Sequence, residues 1–376
     1  MVTFRQAAGG DPAPRSSGGA FSEYVAMRIA IDAMGGDHAP EAAVEGAVLA
    51  RRELAVEPVL VGDGGRVESV LRALREQPRD FSILHTDEAV AMDEPATTPL
   101  RRKRRASVRL CAELVQEGKA AAMVTAGNTG AAMVAAKVAI GMLEGVDRPA
   151  LATVLPSLTG RTVLLDVGAN VDSRARHLRQ FAVMGHCYAQ EVLGVAAPRI
   201  GLLSIGEEDG KGTERIRQVH QVMESTGLHF IGNVEGGDIF GGRADVVVCD
   251  GFVGNAVLKS AESIADLLAA MLRDELAHSL SARLGAWLAR PALRRLRRRT
   301  DPSEYGGAPL LGLAGGCLIG HGRSSARAIR NMIARAAEFA QADVARQIGR
   351  RIAALRAGEF QLLADEDATT PEVTPA

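Results

Sequence analysis

Three aspartates stand where an apolar run gives way to a glycine turn: Asp32 in I-A-I-D-A-M-G-G-D-H, Asp166 in V-L-L-D-V-G-A-N-V-D and Asp250 in V-V-V-C-D-G-F-V-G-N. A strand that ends in a short polar side chain, then glycines, then a helix offers one bound anion a carboxylate, backbone N–H groups and a helix N-terminus. A fourth loop, A-G-N-T-G at 126–130, repeats the design with Asn128 and Thr129. The plainer alternative for each is a helix cap in an ordinary strand-to-helix turn. Three acids also raise divalent-cation chemistry, but magnesium sites usually cluster their acids more tightly, and no metal is expected.

The cationic candidates are Lys211 and Lys259, the latter one helical turn beyond Asn255. The turn G-E-E-D-G-K-G-T (206–213) imitates a phosphate-binding P-loop and fails its spacing. Only three residues separate Gly206 from Gly210, Gly212 parts Lys211 from Thr213, and three successive acids would repel a triphosphate. ATP is not implied, although Lys211 suits a single phosphate; a charged surface turn is the alternative. His38 and His321 adjoin glycine turns, and either is placed to hand over a proton or to make a structural hydrogen bond. No G-x-S-x-G elbow indicates a serine triad, and no G-x-G-x-x-G follows an expected strand.

These residues need a scaffold. Apolar runs at 28–31, 57–62, 81–86, 120–125, 150–155, 161–166, 199–205, 228–235 and 244–250 read as strands. Helical segments fall between many of them: Pro40 to Glu53, Arg66 to Gln77, an Ala-rich segment to Met142, and Ala326 to Leu355. The alternation predicts an α/β fold with a doubly wound, mainly parallel sheet, in one unit over 27–355. Strand ends of one polarity would converge on one edge, gathering Asp32, Gly36, Asn128, Asp166, Asn170 and Asp250 around a single concavity.

Two stretches stand apart. A helix starting after Thr98-Pro99, with Thr98 as its cap, would open R-R-K-R-R (101–105). Cations in the first turns oppose the helix dipole at about a few tenths of a kcal/mol each, so a compensating acidic partner or phosphate is one reading and a solvated face the other. Between 261 and 300, leucines recur at three- and four-residue spacing through Leu284, Trp287 and Leu288; Pro291 is expected to interrupt them, and L-R-R-L-R-R-R (293–299) follows. An apolar stripe beside dense arginine fits a helical hairpin on an anionic membrane surface; a core or dimer helix is the alternative.

Composition excludes other classes. With 376 residues, 47% hydrophobic and 24% charged, a net charge of −1 and a pI near 6.7, nothing points to nucleic acid. Four well-separated cysteines in apolar settings read as reduced core residues of a cytoplasmic protein. No apolar run reaches the roughly 18 residues that span a bilayer. Residues 1–26, rich in Gly, Pro, Ser and Ala, read as a disordered extension, with Met27 offering a second start; 356–376 read as a frayed tail.

In order along the chain, I-D-A-M-G-G-D-H-A-P, A-G-N-T-G, D-R-P-A-L-A, L-L-D-V-G-A-N-V-D, G-L-L-S-I-G-E-E, F-I-G-N-V-E, V-V-V-C-D-G-F-V-G-N, E-Y-G-G-A-P-L-L-G and H-G resemble the blocks of the bacterial phosphate acyltransferase family, the PlsX-type enzymes. The resemblance covers about residues 27 to 350. It implies transfer of a fatty acyl group from acyl carrier protein to inorganic phosphate, giving acyl phosphate for phosphatidic acid and phospholipid synthesis, without a cofactor. It further implies a fold similar to isocitrate and isopropylmalate dehydrogenases with a mixed sheet, a homodimer, and peripheral association with the inner face of the cell membrane, where a downstream glycerol-phosphate acyltransferase is a candidate partner. On this resemblance the catalytic candidates are Asp32, His38, Asn128, Lys211, Lys259 and His321. The substrate-binding candidates are Gly35, Gly36, Asp37, Gly127, Thr129, Asp166, Gly168, Asn170, Asp250 and Asn255. Arg101, Arg102, Lys103 and Arg104 would dock the carrier protein, and Leu284, Trp287 and Leu288 the membrane. The chain departs from the family pattern at Ala106, where a serine is usual before Ser107, at Arg105, usually polar or acidic, and at Gly237, usually arginine. The competing readings are a dehydrogenase-like enzyme on the same fold and a non-catalytic, membrane-bound scaffold for the carrier protein.

Overall fold

The computed structural model describes residues 27–208, 211, 214–223, 226–300 and 306–367. The expected N-terminal extension, the end of the tail and four residues of the turn around Lys211 lie outside them, as do the side chains of residues 297–300 and 357–367.

The first half runs β1 (Met27–Asp32), α1 (Glu41–Glu53), β2 (Val56–Gly62), α2 (Gly64–Ala73), β3 (Ser82–His85), α3 (Thr98–Arg101), α4 (Ser107–Gln116), β4 (Ala122–Thr125) and α5 (Thr129–Ala139). The second comprises β5 (Ala150–Ser157), β6 (Gly160–Leu165), α6 (Ala175–Glu191), β7 (Ile200–Leu203), α7 (Glu214–Met223), β8 (Phe230–Val234), α8 (Gly236–Gly241) and β9 (Val246–Val248). The helical pair α9 (Gly251–Ala277) and α10 (Leu280–Thr300) follows, then β10 (Ala308–Leu311), β11 (Gly316–Ile319), α11 (Ala326–Gln341) and α12 (Val344–Asp367).

All the strands join one sheet in the order β3-β2-β1-β4-β11-β10-β5-β6-β9-β7-β8. Its faces are sorted by the two-residue period of the strands. Ile29 and Ile31 of β1 pack with Val44 and Val48 of α1 and with Ile329 and Ile333 of α11, while Ala30 faces the opposite core with Cys111 of α4 and Ala132 of α5. Leu165 of β6 packs on Phe181 and Met184 of α6 and Ile348 of α12. Helices thus cover both faces of a mostly parallel sheet.

Two strands, β10 and β11, were not expected from sequence, and they change the topology. Each is a four-residue apolar run between glycines, and β10 contains Pro309. β10 pairs antiparallel with β11 and with β5, and β5 pairs antiparallel with β6. The parallel block β3-β2-β1-β4-β11 therefore runs opposite to the parallel block β6-β9-β7-β8 along the ladder. The expectation that Asp32 converges with Asp166 and Asp250 on one edge does not hold, because these central reversals send the two sets of strand ends to opposite ends of the ladder.

Three local expectations also change. The helix expected to carry the basic run is two helices, and residues 102–105 form the turn between them. Glu88 and Thr86 satisfy that turn, accepting from the Arg105 N–H at 2.9 Å and donating to its carbonyl at 2.7 Å. Thr98 is not the cap, since α3 starts from Thr97 without a side-chain cap bond. Pro291 lies inside α10 rather than ending it; having no N–H, it leaves the Trp287 carbonyl without the usual intrahelical donor. The closing helix is divided near Asp343 (φ 50°), and α12 continues to Asp367.

Candidate active site

At the carboxyl ends of β1, β4 and β11, three loops meet. Asp32, the last residue of β1, is 4% exposed. Its Oδ1 accepts the Ser107 hydroxyl at 2.6 Å and the Met34 N–H at 3.2 Å, and its Oδ2 accepts the Thr125 hydroxyl at 2.7 Å. Burial pushes the Asp32 carboxyl above its usual range, while the bonds from Ser107, Thr125, Met34 and Gly35 oppose that rise. Gly35 is obligatory here: a Cβ would lie 2.6 Å from Asp32 Oδ2 and 2.8 Å from the Gly127 nitrogen. The β11 loop closes the group, with the Asp37 N–H bonding the Gly322 carbonyl at 2.8 Å and the Gly320 N–H bonding the Thr125 carbonyl at 2.7 Å. Asp37, His38, Thr129 and His321 are exposed on these loops, while Gly127 is buried and Gly36 half-buried.

Asn128 caps α5, its Oδ1 accepting from the Ala131 N–H at 2.9 Å. Its amide nitrogen donates to the carbonyls of Met92 at 3.0 Å and Glu94 at 2.9 Å, holding segment 88–97 against the start of α5. Lys103 binds the same segment through the Glu94 carboxylate and the Ala89 carbonyl. That bond, more than the small opposing effect of burial, holds the Glu94 carboxyl below its usual range. Lys103 is thus committed to the fold, whereas Arg101, Arg102 and Arg104 are exposed beside it.

The second group lies at the carboxyl ends of β6, β9 and β7. Asp166 is fully buried. Oδ1 accepts the N–H groups of Leu151, Gly168 and Ala169 at 3.1, 3.1 and 2.9 Å, and Oδ2 accepts the backbone and side-chain N–H of Asn170 at 2.7 and 2.8 Å. Burial raises the Asp166 carboxyl despite these donors. Asp250 caps α9 by accepting the Val253 N–H at 2.9 Å. Gly254 lies against the Asp166 carbonyl so closely that any side chain would collide with it. Asn255 is half-buried and faces Gly168, while Lys211 and Lys259 are exposed.

The structure therefore brings together Asp32, Gly35, Gly36, Asp37, His38, Gly127, Asn128, Thr129 and His321 in one group, and Asp166, Gly168, Asn170, Asp250 and Asn255 in another. Ser107 and Thr125 were missed as candidates; their hydroxyl types, at a helix start and a strand end, were the available signal. Among the described residues no cluster of three or more His, Cys, Asp or Glu side chains is arranged to hold a metal ion. Burial raises all four free cysteines, Cys187 to about 11 and Cys317 to about 12, so none is a ready thiolate at neutral pH.

The described side chains of the helical pair are mostly exposed. In α9 only Gly251 and Gly254 are buried; Ile264, Leu267, Leu268, Met271 and Leu272 are open, as are Leu284 (60%), Trp287 (66%) and Leu288 (66%) of α10. Arg290, Arg294 and Arg295 are exposed beside them. No helix among the described residues is long and apolar enough to cross a membrane.

Comparison with known proteins agrees with this architecture. The chain is similar to a phosphotransacetylase from Streptococcus pyogenes, with a TM-score of 0.59 and 20% identity over 84% of this chain and 94% of that one. It is similar also to a branched-chain phosphotransacylase from Enterococcus faecalis, with a TM-score of 0.52 and 14% identity over 84% and 99%. At such identities these likenesses speak for the fold. Sequence goes further: a phosphate acyltransferase from Acidobacterium capsulatum is 53% identical over 85% of this chain and 95% of its own. Another from Heliobacterium modesticaldum is 51% identical over 82% and 92%. Residues 27–347 match the family model described as fatty acid synthesis protein. The chain belongs to that family, whose curated relatives carry the name phosphate acyltransferase, and it is an acyltransferase.

Proposed function

We propose that the protein transfers a fatty acyl group from the thioester of acyl carrier protein to inorganic phosphate, releasing acyl phosphate for phosphatidic acid and phospholipid synthesis. The observation that carries the reading is the meeting of the β1, β4 and β11 loops over one buried carboxylate, with the α4 and α5 N-termini beside it, in a chain about half identical to phosphate acyltransferases. Phosphate is held among these loops, where backbone N–H groups and helix ends favour an anion. A phosphate oxygen attacks the thioester carbonyl carbon, the C–O bond forms as the C–S bond breaks, and the leaving thiolate takes a proton. The thioester is already activated, so the protein contributes position and oxyanion stabilisation. His38 and His321 stand exposed on the same loops as the candidate proton donors.

Arg101, Arg102 and Arg104 steer the acidic carrier protein to this end of the sheet. Lys211 and Lys259 remain catalytic candidates, and Asn255 of the second group a substrate-binding one. The exposed stripes of α9 and α10 serve a homodimer and an anionic membrane surface, where a downstream glycerol-phosphate acyltransferase would consume the product. The test is direct: mix full-length protein with acyl carrier thioester and phosphate, and assay acyl phosphate and free thiol. Thioester bound but never turned over would favour a scaffold instead, and cofactor-dependent hydride transfer would favour a dehydrogenase.

A further inference from the structure

We propose that Asp32 is a positioning residue: through Ser107 and Thr125 it fixes the starts of α4 and α5 relative to each other around the bound phosphate, without touching the reacting atoms itself. The inference rests on the reading above that phosphate is held at this end of the sheet.

The arrangement is a chain of bonds with defined direction. The Ser107 hydroxyl reaches Asp32 from the first residue of α4, whose cap residue Ala106 supplies no side-chain bond. The Ser107 N–H is taken by the Glu88 carbonyl at 3.0 Å. The Thr125 hydroxyl reaches the other carboxylate oxygen from the last residue of β4, and its own oxygen accepts the Gly127 N–H at 3.0 Å. Thr125 therefore has one orientation: proton to Asp32, lone pair to Gly127. One carboxylate ties β1, the start of α4 and the β4–α5 loop, and Ser107 and Thr125 are each 1% exposed. Bonds from hydroxyls to a carboxylate sealed from water are short and strong, so the distance between the two helix starts is held stiffly.

The same geometry argues against direct chemistry. A general base needs an oxygen within about 2.6–3.2 Å of the proton it removes. Both oxygens of Asp32 already face donors from the protein, and the tight approach of Gly35 and Gly127 closes the remaining side. Its raised carboxyl value follows from the same burial.

The test compares full-length wild type with Thr125→Val, Thr125→Ser, Ser107→Ala and Asp32→Asn, varying phosphate and acyl carrier thioester separately. Thr125→Val, Ser107→Ala and Asp32→Asn should raise KM for phosphate by about ten-fold, while KM for the thioester moves by less than about three-fold. Thr125→Ser keeps the hydroxyl and should stay within about three-fold of wild type for both. Thr125→Val with wild-type kinetics would overturn the proposal. So would a matched rise in both KM values alongside a lower melting temperature, with Thr125→Ser no better, since that pattern marks mere loss of structure. Should Asp32→Asn fail to fold, the Thr125 pair decides alone. Absence of acyl phosphate from wild type would overturn the functional reading and this one with it, whereas active wild type beside unaffected variants counts against Asp32 only.

Discussion

Asn170 donates twice to a single oxygen of Asp166, through its backbone N–H at 2.7 Å and its side-chain amide at 2.8 Å, and the same amide also reaches the Pro149 carbonyl at 2.7 Å. The turn after β6 is thereby clasped to the start of β5 without solvent. Truncation strands a buried carbonyl and removes a donor from a buried carboxylate. Asn170→Ala should cost about 1–3 kcal/mol of stability. Urea unfolding checks this, and an unchanged midpoint would show that the clasp carries no net free energy.

Asp245 supplies a pH dependence of known sign. It accepts the Arg199 backbone N–H and Nε on Oδ2, and Nη2 on Oδ1, each at 2.9 Å. Burial pushes this carboxyl up, but the side-chain and backbone bonds from Arg199 together outweigh it, so the group lies below 3.8. A depressed carboxyl stabilises the folded chain above the unfolded value and loses that contribution as pH falls through the folded one. Asp245→Asn should be less stable than wild type near neutrality by about 1 kcal/mol, the pair being part-exposed. The gap should narrow as pH drops below 3.8. Denaturant midpoints at several pH values decide it; a gap of constant size would place the effect outside this ion pair.

For the basic turn, the structure separates one cation from its neighbours. Replacing Arg101, Arg102 and Arg104 by Ser should raise KM for the acyl carrier thioester and flatten its dependence on ionic strength, with a smaller effect on KM for phosphate. Lys103→Met should act differently, loosening segment 88–97 and making it more open to proteolysis at any salt concentration. Carrier kinetics that ignore ionic strength in wild type would return the arginines to a solvated face.

On the helical pair, burial of Leu284, Trp287 and Leu288 at a headgroup boundary would add to about 1 kcal/mol of attraction for each nearby cation on anionic lipid. Wild type should sediment with anionic vesicles and less with neutral ones, and Leu284→Glu or Trp287→Glu should abolish binding in a protein that stays folded. If the same residues serve only a dimer, the substitutions would shift size-exclusion elution and wild type would ignore vesicles of either charge.

What sequence made legible were the elements with strong periodicity. Nearly every strand ending in an acid or glycine turn lay close to its expected place, because long apolar runs punctuated by glycine have few other solutions. Asp250 and Asn128 as caps were legible for the same reason. The polarity reversal was not, since Pro-Leu-Leu and Cys-Leu-Ile are too short to show a period. Without β10 and β11, the three acids looked convergent. The basic turn failed differently: a propensity argument placed it in a helix, and tertiary hydrogen bonds from Thr86 and Glu88 took the backbone instead. The roles of Ser107 and Thr125 depend on a partner 75 and 93 residues away, so a hydroxyl at a helix start or a strand end was the whole of the local signal.

The insertion of β11 between β4 and β10 has a consequence for synthesis on the ribosome. The strands β5 to β9 lie within residues 150–248 and can pair as soon as that stretch has emerged. The strands β1 to β4, though made earlier, must keep the open edge of β4 waiting until Gly316–Ile319 arrives, almost 200 residues after Thr125. The half of the protein translated first thus keeps an open edge until the chain is nearly complete, and that unpaired edge is where a stalled or truncated chain would associate with its neighbours.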